Sequence, residues 1–302
     1  MIKNSKVLIT GSDGFIGKAL CSYLSINNCV VHGISLNKSD NKFIDKEFIC
    51  DVTDFITLKN KIKDDYEYVF HLAAIADINY SLVNPLEDIN VNFLGTVNLM
   101  EHFRNSKKIK SFCVFSTVSV LSSENKLPLN EEAFCKPSTP YGTSKMCCEI
   151  YAKLYLNLYN LPIKIIRPFN IYGPNKKSLV VYDFIFQART ANSDFKIKGD
   201  GKQIRDFLYI DDAVNGIILV AKKGKIGQIY NLGSGVPIKI YDLAKTILKL
   251  YKKSKFKIKT DNDFYKGEFV KWYADISKLK DLGFQQKFSL EQGLKKVIEQ
   301  LN

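Results

Sequence analysis

The chain has 302 residues, 46% of them hydrophobic, which is enough apolar material for a substantial core and too much for a disordered polymer. Its 44 lysines and arginines against 31 acids give a net charge of +13, yet only Arg104, Arg167, Arg189 and Arg205 are arginines and the lysines are spread along the chain. Without a helix-turn-helix or RNP-type signature, that charge argues against a nucleic-acid partner and for solvated lysine faces whose positive potential favours an anionic, phosphate-bearing substrate.

The opening MIKNSKVLIT runs from a polar lead directly into an apolar strand, with no signal-type segment, and no later run approaches membrane-spanning length. A soluble, cytoplasmic protein with no membrane partner is expected. Seven scattered cysteines with no CxxC pair, and three histidines, argue against a disulfide framework or a metal site. KVLIT, CVVHGIS, EFICD, YVFHLAA, KSFCVFS and PIKIIRP then read as strands separated by helical patterns, the rhythm of a doubly wound parallel sheet. Near-continuous apolar character in YVFHLA and FCVFS predicts central strands covered on both faces.

Directly after the first strand, TGSDGFIGKAL places Gly11, Gly14 and Gly17 around Phe15 and Ile16 and leads into a helix. Strand, glycine turn and helix N-terminus together form the context that accepts a pyrophosphate, and thereby a dinucleotide. The second strand ends at Ser35, where an acid would hold the adenosine ribose hydroxyls; no acid follows before Asp40, so NADP is allowed and NAD stays open. Further on, STPYGTSKM puts Tyr141 and Lys145 four residues apart, just after Pro140, on one face of a predicted helix. A neighbouring ammonium lowers a phenol's pKa and suits it to proton exchange with an alcohol or carbonyl. After about residue 170 the pattern loosens; GDGKQIRDF reads as a loop or hairpin and SLEQGLKKVIEQL as a final amphipathic helix. These readings make an α/β fold: a Rossmann-type doubly wound parallel sheet with a smaller C-terminal substrate-binding lobe and a cleft between them. Residues 1–168 are the dinucleotide-binding domain, with segments near 208–235 returning to it, and 169–302 are mainly the substrate lobe.

TGSDGFIG, HLAA, NVNFLGTVNLME, FSTVSV, PYGTSK, RPFNIYGP, GDGKQIRDFLYIDDAV, YNLGSG and ADISKLKDLGF, in that order, resemble the extended short-chain dehydrogenase/reductases, and more narrowly their nucleotide-sugar epimerase/dehydratase group. The similarity spans nearly the whole chain. It implies that Tyr141 is the acid-base group, that Lys145 binds the nicotinamide ribose and lowers the phenol's pKa, and that Thr117 holds the reacting sugar oxygen, with Ser116 beside it. It implies cofactor contacts from Asp51 and Val52, from Leu72, Ala73 and Ala74, and from Asn90 and Phe169. Substrate contacts fall to Asn170, Arg205 and Lys266, a guanidinium being well matched to a diphosphate. The family's dehydratases carry an Asp-Glu pair after the Ser/Thr, where this chain has Val118 and Ser119. The resemblance therefore implies a homodimeric NAD- or NADP-dependent epimerase of a nucleotide-diphosphate sugar, with a ketoreductase or dehydrogenase of a nucleotide-linked sugar as the alternative.

Overall fold

The structure, a computed structural model, describes residues 2–176, 179–190, 194–261, 263 and 271–301. The six apolar segments form β1 (Lys6–Thr10), β2 (Val30–Ser35), β3 (Lys46–Ile49), β4 (Tyr68–His71), β5 (Ser111–Phe115) and β6 (Ile163–Pro168). Ile229–Leu232 is added outside β6, giving one seven-stranded parallel sheet in which β1 lies between β4 and β2. All five residues of β5 are buried, as its unbroken apolar sequence requires of a strand with helices on both faces. The chain winds outward from β1 through β2 to β3, then crosses back to β4. The crevice between the carboxyl ends of β1 and β4 is where such a fold takes its ligand.

Two helices bring chemistry to that crevice. The first, Phe15–Ile26, starts at Gly14 and buries Gly17, Leu20, Cys21 and Leu24 against the sheet at three- and four-residue spacing. The second, Pro140–Tyr159, starts where the Thr139 side chain accepts the Gly142 N–H and Pro140 occupies the first helical position; it stops at Asn160 in the left-handed region, φ 57°. Its buried face runs through Tyr141, Lys145, Cys148, Ala152 and Tyr155, and this repeat carries the Tyr-Lys pair inward.

Beyond β6 the chain makes three two-stranded ribbons: Asn170–Tyr172 with Phe207–Tyr209, Ile204–Arg205 with Ile238–Lys239, and Phe195–Ile197 with Ile258–Thr260. Of the loop or hairpin expected in GDGKQIRDF, the loop is what forms. Gly199 and Gly201, at φ 79° and 73°, turn the chain, but Ile204–Arg205 pairs with a segment more than thirty residues on. The final amphipathic segment is the helix Leu290–Leu301. Residues of β1, such as Val7 and Ile9, share one apolar core with Phe195, Leu243 and Leu294 of the later segments. Among the described residues no helix is long and apolar enough to cross a membrane.

Candidate active site

A cleft of about 310 Å³ opens at the switch point, bounded by the glycine loop, the ends of β4, β5 and β6, and the start of the Tyr141 helix. The loop is held by backbone bonds from Gly11 N–H and Ser12 N–H to the Ile34 carbonyl, 2.8 and 3.3 Å. A Cβ on Gly11 would stand 2.9 Å from Ala73 N and one on Gly17 would collide with the Gly11 carbonyl. The loop is thus packed on the β4 end so closely that only glycine fits. With the N-terminus of the Phe15–Ile26 helix behind it, this cradle fits the pyrophosphate of a dinucleotide.

Behind the loop lies a directed hydrogen-bond chain centred on His71, which is 1% exposed. Thr96 donates its hydroxyl to the Asn92 carbonyl at 2.6 Å, so it accepts from His71 Nε2–H at 2.9 Å. That leaves His71 Nδ1 to accept the Thr10 hydroxyl at 2.8 Å, while Thr10 Oγ1 accepts the Ala73 N–H at 3.0 Å. Burial, reinforced by the Lys145 charge, pushes the imidazole's pKa down to about 3, so the ring is neutral. Ala73, between the cleft-lining Leu72 and Ala74 but itself outside the lining, is held by this chain of hydrogen bonds.

Tyr141 and Thr117 both line the cleft; the Thr117 hydroxyl donates to Ser119 Oγ at 3.3 Å and is close enough to the phenol to favour its ionised form. Lys145 Nζ donates to the Phe115 carbonyl at 3.0 Å, and burial lowers its pKa. Here the sequence expectation needs correction: Lys145 is not among the groups that lower the phenol. Burial pushes Tyr141 up to about 12, Asp88 and Cys148 add to the rise, and the nearby Thr117 hydroxyl only partly opposes it. In the protein's own field Tyr141 is a neutral proton donor. Ser116 also lines the cleft, but its hydroxyl donates to Glu149 Oε1 at 2.5 Å. Glu149 is held in turn by Arg167 through Nε at 2.8 Å and Nη2 at 2.7 Å, a bidentate ion pair 2% and 6% exposed. Ser116 is therefore tied into the wall, and breaking its buried ion pair would cost about 3–5 kcal/mol.

Of the residues expected to contact cofactor or substrate, Gly11, Gly14, Phe15, Ile16, Gly17, Leu72, Ala74, Ser116, Thr117, Tyr141, Lys145, Phe169 and Asn170 line this one cleft. Asp51 and Val52 follow β3 at the same end of the sheet but outside the cleft. There Asp51 accepts the Thr53 N–H, and Val52 is buried against Gly95. Asn90 is corrected: it is exposed, and Asn92 is the buried asparagine, accepting the Ile75 N–H at 2.8 Å and donating to Asp88 at 2.8 Å. The two sit in a π-helical turn, Ile89–Leu94, whose wider winding points the second asparagine inward. Arg205 lies outside the lining, its guanidinium 3.9 Å from the Trp272 ring centroid. Its neighbour Asp206 is fully buried, bonded to Ser234, Gly235 and Ala274, so a surface pair between the two does not form. Lys266 lies outside the described residues. Lys176 was not anticipated: it lines the cleft with its ammonium 5.6 Å from the Phe15 ring centroid, and burial lowers its pKa. Its only signal in the sequence is its place after RPFNIYGPN.

The family model for the NAD-dependent epimerase/dehydratase family matches residues 7–233, which carry the glycine loop, Thr117, Tyr141 and Lys145. The chain belongs to that family. It is an enzyme of the extended short-chain dehydrogenase/reductase type. The chain is 33% identical to a UDP-glucuronate 4-epimerase of Thermodesulfobacterium geofontis, covering 96% of this chain and 94% of that one. It is 29% identical to the dTDP-D-glucose 4,6-dehydratase of Homo sapiens, covering 97% and 89%. A crystal structure of UDP-glucuronic acid 4-epimerase from Bacillus cereus, in complex with UDP-glucuronic acid and NAD, superposes with a TM-score of 0.86 at 29% identity, covering 98% of this chain and all of that one. Epimerases and dehydratases of the family thus both match along the length of this fold. In the stretch after Thr117, Val118 is buried and Ser119 hydrogen-bonds Thr117; neither residue is an acid.

Proposed function

We propose that this chain is an NAD-dependent epimerase of a nucleotide-diphosphate sugar, inverting a ring hydroxyl carbon such as C4 and leaving no net redox change. The observation that carries this reading is that Thr117, Tyr141 and Lys145 line one cleft with the glycine cradle, with no acid at positions 118 and 119 to drive loss of water. The bound cofactor supplies the hydride acceptor and, when oxidised, a positive charge. Thr117 holds the sugar oxygen by a hydrogen bond. To act as the base Tyr141 must enter the cycle as phenolate, its own proton lost to solvent where the oxidised cofactor's positive charge would offset the burial that raises its pKa. The phenolate then takes the sugar oxygen's proton as the carbon gives up its hydride, and the resulting phenol returns it when the hydride comes back to the opposite face, so proton and hydride both balance over the cycle. Its elevated pKa in the protein alone makes Tyr141 most effective as the donor in the second half. Lys145, buried and bonded to the Phe115 carbonyl, fixes one wall of the cleft, and Lys176 places a cation near the cradle. Asn170, its amide bonded to the Asp206 carbonyl at 2.9 Å, lies where substrate would be positioned.

Residues after 168 serve mainly as the substrate lobe in this reading. The enzyme acts as a homodimer, because the outer face of the Tyr141 helix exposes Ile150, Leu154 and Leu158 at four-residue spacing, and Leu82, Val83, Leu86 and Ile89 lie exposed on the short helical turns between residues 78 and 94 that pack against that helix. Seven free cysteines suit the reducing cytoplasm, where activated sugars for polysaccharide synthesis are made. Tyr141→Phe tests the chemistry: turnover should fall about 10²–10⁴-fold while NAD binding and thermal stability are retained. Near-normal turnover would contradict the assignment.

A further inference from the structure

The end of β2 has no acid of its own, yet a carboxylate stands there. Glu47 belongs to β3, where it pairs with Gly33, two residues before Ser35. Its side chain crosses to the end of β2: Ser39 donates to it through its hydroxyl at 2.7 Å and its N–H at 3.0 Å, and the Ser35 hydroxyl lies 3.0 Å from Oε1. Burial opposes the charge, but these hydrogen bonds and the Lys38 ammonium hold the carboxyl below its ordinary pKa. Ser35 directly follows Ile34, whose carbonyl anchors Gly11 and Ser12 of the glycine loop, and a Cβ on Gly33 would meet the Ser12 side chain at 2.5 Å. Loop, strand end and Glu47 are therefore one packed unit.

We propose that Glu47 sets the dinucleotide specificity of this enzyme: it supplies, from β3, the negative charge at the end of β2 that admits a ribose hydroxyl and repels a 2′-phosphate. The inference rests on the dinucleotide-binding reading of the cleft. Reading Ser35 alone suggests that nothing rejects NADP. With Glu47 folded over it, a phosphate on the ribose meets a fixed carboxylate, and the charge of Lys38, which would otherwise attract that phosphate, is offset by Glu47.

The test is calorimetric titration of the full chain, freed of resident dinucleotide, with NAD⁺ and with NADP⁺. The unsubstituted protein should bind NAD⁺ more tightly by about tenfold or more, and Glu47→Gln, which keeps the shape and removes the charge, should bring the two affinities to within a few-fold, mainly by tightening NADP⁺. Asp40→Asn, an exposed acid on the same loop, should leave the ratio unchanged. Equal affinities in the unsubstituted protein, an unchanged ratio in Glu47→Gln, or an equal shift in Asp40→Asn would each overturn the assignment of Glu47 while leaving the dinucleotide site standing. If the unsubstituted protein bound neither dinucleotide, the site itself would fall and the inference with it.

Discussion

His71 is the residue on which the shape of the cofactor wall depends, and its proton inventory makes that dependence measurable. Its ordinary pKa of 6.5 is driven down to about 3 in the fold. Above pH 6.5 both folded and unfolded chains carry a neutral ring and its contribution to stability is constant. Below that, the unfolded chain takes up a proton that the native chain refuses, so stability falls as pH falls, by about 1.4 kcal/mol per pH unit from this one group down to the native value. Urea unfolding between pH 7 and 4.5 should therefore show a slope smaller by one proton in His71→Gln than in the unsubstituted protein. The same slope in both would mean that the imidazole is charged in the fold. Comparing the two proteins cancels the opposite contributions of buried acids such as Asp88 and Glu131, whose carboxyls burial raises.

At the scale of elements, the glycine turn and the π-turn decide what faces the cleft. Gly17 and Gly14 differ in how near their missing side chains come to one oxygen: a Cβ on Gly14 would sit 3.1 Å from the Gly11 carbonyl, whereas one on Gly17 would overlap it. Gly17→Ala should therefore cost about 1–3 kcal/mol by chemical denaturation and weaken NAD⁺ binding, with Gly14→Ala milder in stability. Equal stability losses would contradict the close packing of helix on loop. This turn was legible in the sequence because glycine spacing is local, and β1, β4 and β5 were legible because each buries a nearly unbroken apolar run, whereas the edge strand β3 buries none of its four residues. Ile229–Leu232 was not read as a strand: its Asn231 breaks the run, and only tertiary partners, the carbonyls of Leu129 and Asp275, make that amide compatible with burial. Asn90 was read in place of Asn92 because residues two apart face different ways in any helix, and the π-turn that selects between them leaves no periodic trace. The raised pKa of Tyr141 and the carboxylate from β3 were hidden for the same reason. Both arise from burial and cross-strand neighbours, which adjacent sequence does not record.

Across the whole molecule, a basic surface and an exposed apolar helix face suit the proposed role. The net charge of +13 raises the local concentration of an anionic nucleotide sugar, an effect that salt screens. The Ile150, Leu154 and Leu158 face should be covered by a second copy. Light scattering should give twice the 34.4 kDa chain mass, and Leu154→Glu should give the monomer with its dinucleotide site intact. A monomeric unsubstituted protein at micromolar concentration would rule that interface out. The central claim is internal, redox-neutral epimerisation in the Tyr141 cleft. It is tested most directly by incubating the purified enzyme with UDP-sugars, then dTDP-, GDP- and CDP-sugars, while following 340 nm absorbance and product stereochemistry by NMR. The account predicts an inverted hydroxyl carbon with no net absorbance change. Stoichiometric consumption of reduced cofactor with a keto-sugar, and no inversion of any sugar, would contradict it.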